Sequence, residues 1–354
     1  LDGTQNILAA DDANGGLKQA LVTADGGIDL SSGQLVIDLT DTSMKSEIKN
    51  SGSDKTVAYG VWSAGSGNDV FNVEGNTLYA YLRLSEIQLA DTTDGLKLNA
   101  SGLSTDTTLS ATITDYGTTA GKIVFEGGSI TISGSGTNTY TGETEVKSGS
   151  TVTLAKKSGF GNTSKLSIAS GATVDIDGYS QTVGSLVVGS QDQDASNVLL
   201  GSGTLTLGSG EGGESSIWGE NDFSGTVVLG SGHELALNDV AGIGSGATVN
   251  FGDNSVLTID GASGGNFTTH LAGEGTVAVT NSAFNVTGNN SEFKGTWQLG
   301  SSGNVIVSGT STDIDNALGS GATLSFSSGS LSLRLATGES ALTIDEVLSG
   351  DGSL

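Results

Sequence analysis

The side chains that could carry acid–base chemistry are few and widely spaced. His233 and His270 are the only histidines among the 354 residues, and Arg83 and Arg334 are the only arginines. A polysaccharide-degrading site would need a base together with cationic groups that stabilise an oxyanion. Such groups are scarce, because residues 167–354 contain 20 acidic and two basic residues. We therefore expect both histidines to be exposed turn residues and the protein not to be an enzyme.

One segment matches a nucleophile motif. Gly261-Ala-Ser263-Gly-Gly265 satisfies the Gly-x-Ser-x-Gly pattern, which functions on a strand-to-helix elbow of an α/β sheet. No such context surrounds the segment, and a chain with 57 glycines and abundant serine produces this pattern by chance. We interpret the match as accidental.

Acidic residues could instead bind a metal. Aspartates are paired two positions apart at three places, namely Asp175 and Asp177, Asp192 and Asp194, and Asp313 and Asp315. On a strand, this spacing puts both carboxylates on one face, where they could act as acid and base or bind Ca²⁺. The segment 65–71 resembles one unit of a calcium-binding nonapeptide, but that motif binds between stacked copies and occurs once here. We expect a solvated acidic face, with no metal and no cofactor.

Composition narrows the class of fold. The chain has 57 glycines, no proline, no cysteine and a net charge of −26. The lack of cysteine excludes disulfide scaffolds and thiolate zinc sites, and the charge disfavours nucleic acid and anionic membranes as partners. No apolar run is long enough for a transmembrane helix.

Short alternating runs predict β-strands throughout. Apolar residues alternate with polar ones over four to six positions, for example at Ile130 and Ile132, Leu205 and Leu207, and Leu235 and Leu237. Glycine-rich turn signals bound each run. No convincing amphipathic helix is present, and Thr42–Asn50 is the best short candidate.

Three motifs recur in a fixed order after residue 140. The first contains Gly142, Gly225 and Gly295, each two residues after an aromatic side chain. The second begins at Gly161, Gly244 and Gly319, and the third contains Gly201, Gly273 and Gly350. The spacing from the first to the second motif is 19, 19 and 24 residues. The repeat unit of about 70–83 residues is long enough to contain several coils of a solenoid.

Stacked coils account for all of these features. In a right-handed parallel β-helix, alternate side chains point into one apolar column, glycine forms the corners, and proline would interrupt the hydrogen bonds between coils. We predict an all-β fold of this type with roughly 14–16 coils, at about 22–25 residues per coil. Residues 1–125 are less regular and are predicted to form an N-terminal cap or irregular coils, and residues 126–354 the regular β-helix. Five aromatic residues within the first region are assigned to this cap or core, with a ligand-stacking site as the alternative: Tyr59, Trp62, Phe71, Tyr79 and Tyr81.

The first motif resembles a known repeat. Residues 138–154, from Asn138 through Tyr140, Gly142 and Thr144 to an alternating strand, resemble the passenger-associated repeat of bacterial autotransporters. Residues 221–228 and 290–299 are weaker copies, the last with a tryptophan at a β-branched position. The chain is thus similar, over about 215 residues, to the passengers of AIDA-type, self-associating autotransporter adhesins of type V secretion.

This resemblance implies a function. The chain would be a non-enzymatic adhesin at the bacterial cell surface, exported through the periplasm and outer membrane, that mediates cell–cell aggregation and biofilm formation. Its partner would be the identical passenger on a neighbouring cell. The alternative is binding of host matrix protein or glycosaminoglycan, and a polysaccharide-degrading enzyme is the third hypothesis. Because the family's leader and outer-membrane barrel are missing, we expect an excised passenger that is not itself membrane-inserted.

Two kinds of residue could bind a partner. Departures from the regular spacing predict protruding loops, which commonly carry binding residues, although tolerated insertions would look the same; the candidates are Gln191, Asp192, Gln193, Asp194, Glu211, Glu214, Trp218 and Glu220. Basic residues cluster at Lys147, Lys156, Lys157 and Lys165, which would form a patch for an anionic glycan if they shared a face.

Overall fold

The computed structural model describes residues 92–101, 107–190, 198–208, 213–338 and 347–350, together with six strands before residue 92. The chain divides into two compact units, Leu1–Thr163 and Ser164–Leu354. The expected helix at Thr42–Asn50 and the nonapeptide-like segment 65–70 lie outside the described residues, as do the side chains of the five N-terminal aromatic residues.

In the first unit, the earliest strands are antiparallel. β1 and β4 both pair with β5, and β2 pairs with β3. From β6 onward the pairing is parallel, with β6 on β9, and with β10 bonded to four strands, β7, β8, β11 and β12. The strands are β1 (Leu17–Thr23), β2 (Gln34–Val36), β3 (Val61–Ser63), β4 (Phe71–Glu74), β5 (Thr77–Leu82), β6 (Glu86–Leu89), β7 (Leu96–Asn99), β8 (Thr107–Leu109), β9 (Thr112–Asp115), β10 (Ile123–Ile132), β11 (Thr144–Val146) and β12 (Ser150–Leu154).

The second unit consists almost entirely of parallel strands. They are β13 (Leu166–Ile168), β14 (Thr173–Asp175), β15 (Gln181–Val183), β16 (Leu186–Val188), β17 (Leu199–Gly201), β18 (Thr204–Leu207), β19 (Gly213–Ile217), β20 (Asp222–Phe223), β21 (Thr226–Leu229), β22 (His233–Leu237), β23 (Thr248–Phe251), β24 (Val256–Asp260), β25 (Ser263–Phe267), β26 (His270–Gly273), β27 (Thr276–Thr280), β28 (Ala283–Val286), β29 (Glu292–Phe293), β30 (Thr296–Leu299), β31 (Asn304–Gly309), β32 (Thr323–Phe326), β33 (Ser330–Leu335) and β34 (Val347–Gly350). A helix, α1 (Ser311–Leu318), lies between β31 and β32.

These strands form the faces of a coil. The long sheet contains β13, β16, β19, β22, β24, β27, β30, β32 and β34. The threonine sheet contains β15, β18, β21, β23, β26 and β29. A third face is the short sheet of β14, β17 and β20 in the early coils and the asparagine sheet of β25, β28, β31 and β33 in the later ones.

The prediction of a parallel β-helix is confirmed. Parallel strands stack into a solenoid of about 11 turns with almost no helix. The number of turns is lower than the expected 14–16, because the described strands before Glu86 pair antiparallel with one another and add no turn to the stack.

The alternation of apolar residues builds the core. In the long sheet, Leu235, Leu257 and Val277 lie in register on successive coils and are 0% exposed. Trp297 continues the column at 1% exposure and makes edge-on ring contacts with Phe267 and Phe293. Each coil thus covers the apolar residues of the next, which gives the burial that drives folding.

Helix α1 was not predicted. Thr310 is its N-cap, and the Thr310 side chain and Asp313 form a reciprocal capping box. Asp313 and Asp315 therefore lie on a helix, and the expectation that they share the face of a strand is wrong. The signal was present in the sequence as Thr310 followed three residues later by an acidic residue, before Ile314, Ala317 and Leu318.

Candidate binding surfaces

A buried asparagine occurs at the start of each copy of the first motif. Asn138, Asn221 and Asn290, here called the clamp asparagines, are 1%, 4% and 0% exposed. A buried amide is stable only when its donors and acceptor are satisfied. All three side chains meet this requirement in the same way, by bonding to backbone groups on both sides of their own coil.

Asn290 shows the arrangement most simply. Its Oδ1 accepts the Leu271 N–H at 2.8 Å, and its Nδ2 donates to the Ala317 carbonyl at 2.6 Å. Asn221 accepts from Leu199 at 3.0 Å and donates to Gly242 at 3.0 Å.

Asn138 repeats this geometry. It accepts from Ile113 at 3.0 Å and donates to Gly159 at 2.7 Å. Each clamp asparagine therefore ties an earlier coil to the segment that precedes the second motif.

The motif glycines allow the backbones to approach closely. A Cβ on Gly142, Gly225 or Gly295 would lie 2.0–2.1 Å from a backbone carbonyl oxygen of another coil. Contacts below 3.0 Å do not occur for real Cβ atoms, so these positions must be glycine for steric reasons. The asparagine and glycine of each repeat thus hold neighbouring coils close together. Their role is structural, since neither residue type supplies a nucleophile or a base.

The first copy has an additional buried chain of hydroxyls. Thr163 Oγ1 donates to the Gly142 carbonyl, and Thr144 Oγ1 donates to Thr163 at 3.1 Å. Tyr140, which is 0% exposed, consequently donates its O–H to Thr144 at 2.7 Å. Burial raises the pKa of Tyr140 well above the usual value for a phenol. The phenol therefore stays protonated and keeps its hydrogen bond to Thr144.

His233 is not an exposed turn residue, and that expectation is wrong. It is 0% exposed in β22, and its Nε2 lies 2.8 Å from Ser215 Oγ. Ser215, at 4% exposure, also accepts the Leu186 N–H at 2.8 Å. Substrate cannot reach this serine–histidine pair, so the pair is structural.

His270 is not an exposed turn residue either, because it lies in β26 and is half-buried, with Nδ1 3.0 Å from the Asn289 carbonyl. Ser263 of the Gly-x-Ser-x-Gly match lies in β25 and is exposed, in register with Ala283 of the next coil. The segment forms a solenoid strand instead of a nucleophile elbow, as the sequence context indicated.

The expected loop residues are only partly described. Gln191, Asp192, Gln193, Asp194 and Glu211 lie outside the described residues. Glu214 is exposed in β19, in register with Glu234 of the next coil, and Glu220 is exposed. Trp218 is half-buried, and its backbone N–H donates to the Val188 carbonyl.

The four lysines do not form one free surface cluster. Lys156 is 7% exposed, and its Nζ donates to Asn138 Oδ1 at 3.1 Å, so it points inward at a clamp asparagine. Burial lowers the pKa of Lys156. Lys147 pairs with Glu126 at 3.4 Å, Lys157 is exposed, and Lys165 is half-buried in the second unit.

Other lysines of the first unit are also paired. Lys122 Nζ lies 2.9 Å from Glu145, and this hydrogen bond raises the pKa of Lys122. Lys97 and Lys147 lie 3.9 Å and 3.4 Å from the same Glu126 carboxylate.

Carboxylates do not gather into a metal site in the part of the chain that is described. Asp175 Oδ1 instead accepts the Asp177 N–H at 2.8 Å, which closes a turn. The hydrogen bond from the Thr310 N–H holds the pKa of Asp313 below its ordinary value. Within the same described residues, no helix is both long and apolar enough to cross a membrane.

The outward faces carry hydroxyls and amides. On the threonine sheet, Thr204, Thr226 and Thr248 are in register on successive coils. On the asparagine sheet, Asn285 Nδ2 donates to Asn266 Oδ1 at 3.2 Å. The protein is thus a parallel β-solenoid, and its outward sheet faces are the surfaces that could bind a partner.

Comparison with known proteins adds one relative. The chain is similar to a protein of Escherichia coli (strain K12) called "Uncharacterized protein YuaQ", with 29% identity over 283 residues, covering 71% of this chain and 19% of the relative. The chain therefore spans about a fifth of the length of the curated relative it matches. No family model matches the chain, and no solved structure matches it.

Proposed function

We propose that this chain is a non-enzymatic adhesin segment displayed on the surface of a bacterium, which promotes cell–cell aggregation and biofilm formation by binding an identical copy on a neighbouring cell. The observation that carries the proposal is the repeated clamp-asparagine corner in a parallel β-solenoid. The motif around it resembles the passenger-associated repeat of secreted adhesins, and the coils it locks present long polar faces.

The location of the reactive side chains supports a binding role. Ser215 and His233 are buried at 4% and 0% exposure. The outward faces, by contrast, carry many hydroxyl and amide groups, such as Thr204, Thr226 and Asn285, that both donate and accept hydrogen bonds. Each such bond contributes only about 0.5–1.5 kcal/mol, so strong adhesion requires many copies acting together.

The test is surface display of this chain on a non-aggregating bacterium. We expect displaying cells to settle from suspension faster than cells carrying an empty display vector. Differently labelled cells with and without the chain should be mixed, and displaying cells should collect with one another and leave the others in suspension. Displaying cells that remain dispersed at confirmed surface levels contradict self-association.

Binding to a host ligand is the second candidate, favoured by exposed Glu214 and Glu220 beside half-buried Trp218. Displaying cells should be applied in parallel to immobilised fibronectin, laminin, collagen and heparin. Adhesion to one of these coatings without clumping supports the second candidate over the first.

A further inference from the structure

One sheet face of the second unit lacks acidic residues. The four strands of the asparagine sheet contain no Asp or Glu, and they contain Arg334, one of only two basic residues between 167 and 354. Every other sheet of the unit has carboxylates in its strands: Asp175 and Asp222 in the short sheet, Glu214, Glu234 and Asp260 in the long sheet, and Glu292 in the threonine sheet. The charge of this unit is therefore unevenly distributed over its faces.

We propose that the asparagine sheet is the face on which a second copy of this chain docks, face to face with its own asparagine sheet. This inference rests on the proposed self-association and names the surface that performs it.

Electrostatics selects the face. Residues 167–354 contain 20 acidic and two basic residues, a net charge of −18. Juxtaposed like charges cost several kcal/mol at a protein interface. Contact through the long sheet would bring the Glu214 and Glu234 pair against its copy. Contact through the asparagine sheet brings together only uncharged groups and Arg334.

The neighbouring acids are already engaged within the chain. Asp260, just before β25, accepts a hydrogen bond from Asn281 Nδ2 at 3.0 Å. Asp313, just after β31, accepts from Thr310 Oγ1 at 2.8 Å. These carboxylates flank the face and do not lie in its strands.

The chemistry of the face suits pairing with itself. Asn266, Asn285, Ile306 and Ser332 form one outward column in register across the four strands. Amides and hydroxyls are both donors and acceptors, so two identical faces can satisfy each other. Half-buried Ile306 adds an apolar contact within the column.

The size of the face predicts weak individual contacts. Four strands at a spacing of about 4.8 Å are less than 20 Å across. Stable complexes bury about 800 Å² per partner, which is more than so narrow a face offers. Single copies should therefore associate weakly, and many copies between two cells should associate firmly.

The experiment adds charge to this face and to other faces. Asn266→Asp with Ala283→Asp changes two exposed residues on β25 and β28, and Asp at 266 keeps an acceptor for Asn285. The control, Asn250→Asp with Gln298→Asp, adds the same two charges at exposed positions of the threonine and long sheets. At equal surface display, we expect the first pair to lose clumping and the control to keep it.

A mixing experiment tests for direct contact between the two faces. Cells with Asn266→Lys and Ala283→Lys should clump with cells carrying the Asp pair, although neither clumps alone. Ser332→Asp is a second probe if the Asp pair reduces display. Clumping by the Asp pair equal to that of the control, or no mixed clumps, overturns the assignment and leaves the proposed function standing. Unaltered chain that does not clump contradicts both.

Discussion

Ser215 and His233 are joined by a 2.8 Å hydrogen bond inside the apolar core of the second unit. Ser215 lies in the column that Leu235 and Leu257 continue on the following coils. Its Oγ accepts the Leu186 N–H and shares a second hydrogen bond with Nε2 of His233, in which the tautomer of the imidazole decides the donor. The Ser215 side chain thus accepts the hydrogen bond of the first backbone N–H of β16, that of Leu186, in place of a backbone carbonyl.

Ser215→Ala should destabilise the fold. The change leaves the buried Leu186 N–H without this acceptor and removes the partner of His233 Nε2, so the free energy of unfolding should fall by about 1–3 kcal/mol. Urea denaturation followed by circular dichroism measures the loss. Ser216→Ala, on the outward face next to it, is the control and should change stability by less than about 0.5 kcal/mol. Equal effects of the two changes would contradict a structural role for the pair.

Asn290→Ala should be more damaging than Asn289→Ala. Asn290 satisfies the Leu271 N–H and the Ala317 carbonyl inside the protein. At about 1–3 kcal/mol for each buried group left unpaired, the loss should be about 2 kcal/mol or more. Asn289 is exposed, and its replacement should cost far less. Urea denaturation of both variants measures the difference, and faster amide exchange at Leu271 in Asn290→Ala alone would locate it.

Gly295→Ala should separate two coils. A Cβ there would lie 2.0 Å from the Gly275 carbonyl oxygen, so the backbone must move. Gly321→Ala is the control, because that position has open space and only its φ of +79° is unfavourable for alanine. We expect the melting temperature to fall further for Gly295→Ala. A larger loss for Gly321→Ala would show that turn conformation matters more than coil spacing.

Lys156 should make stability depend on alkaline pH. Its folded pKa is lowered by burial, so between that pKa and the unfolded value of 10.5 the unfolded chain binds more protons than the native one. The free energy of unfolding should therefore rise with pH in this window. Lys122 and Tyr140, whose pKa values are raised, act in the opposite direction above their unfolded values.

The Lys156 contribution is isolated by difference. Urea denaturation in the part of this window below pH 10.0, the unfolded pKa of Tyr140, should show the rise in the parent chain and in Lys157→Met, an exposed neighbour, but not in Lys156→Met. A rise of the same size in all three proteins would assign it to another group.

Aggregation of displaying cells should strengthen with salt. A net charge of −26 repels a second copy at long range, and the screening length falls from about 30 Å at 0.01 M to about 10 Å at 0.1 M salt. Settling rates measured across this range should increase. A steady decrease would indicate that attraction between opposite charges, for example through Lys157, holds the cells together.

The sequence predicted the stack of coils well, because alternation and repeated glycines are local signals. Leu205, Leu207, Leu235 and Leu237 are all buried as their spacing indicated.

It failed where the outcome depends on the adjacent coil. Nothing near His233 in the chain shows that Ser215 of the preceding coil will lie against it, and Lys156 belongs to a basic run whose neighbour Lys157 is exposed. The asparagine sheet could not be recognised either, since its freedom from acids emerges only when β25, β28, β31 and β33 are aligned.

Each clamp asparagine fixes the position of a later backbone carbonyl, whatever the number of residues between the asparagine and that carbonyl. From asparagine to clamped carbonyl there are 21 residues in two repeats and 27 in the third, where α1 occupies part of the segment. Insertions at such a point cost little in closure entropy and leave the ladder between coils intact. The segments between the clamp asparagines and these carbonyls can therefore change in length and sequence, and so present new surface, while the stacked coils stay the same.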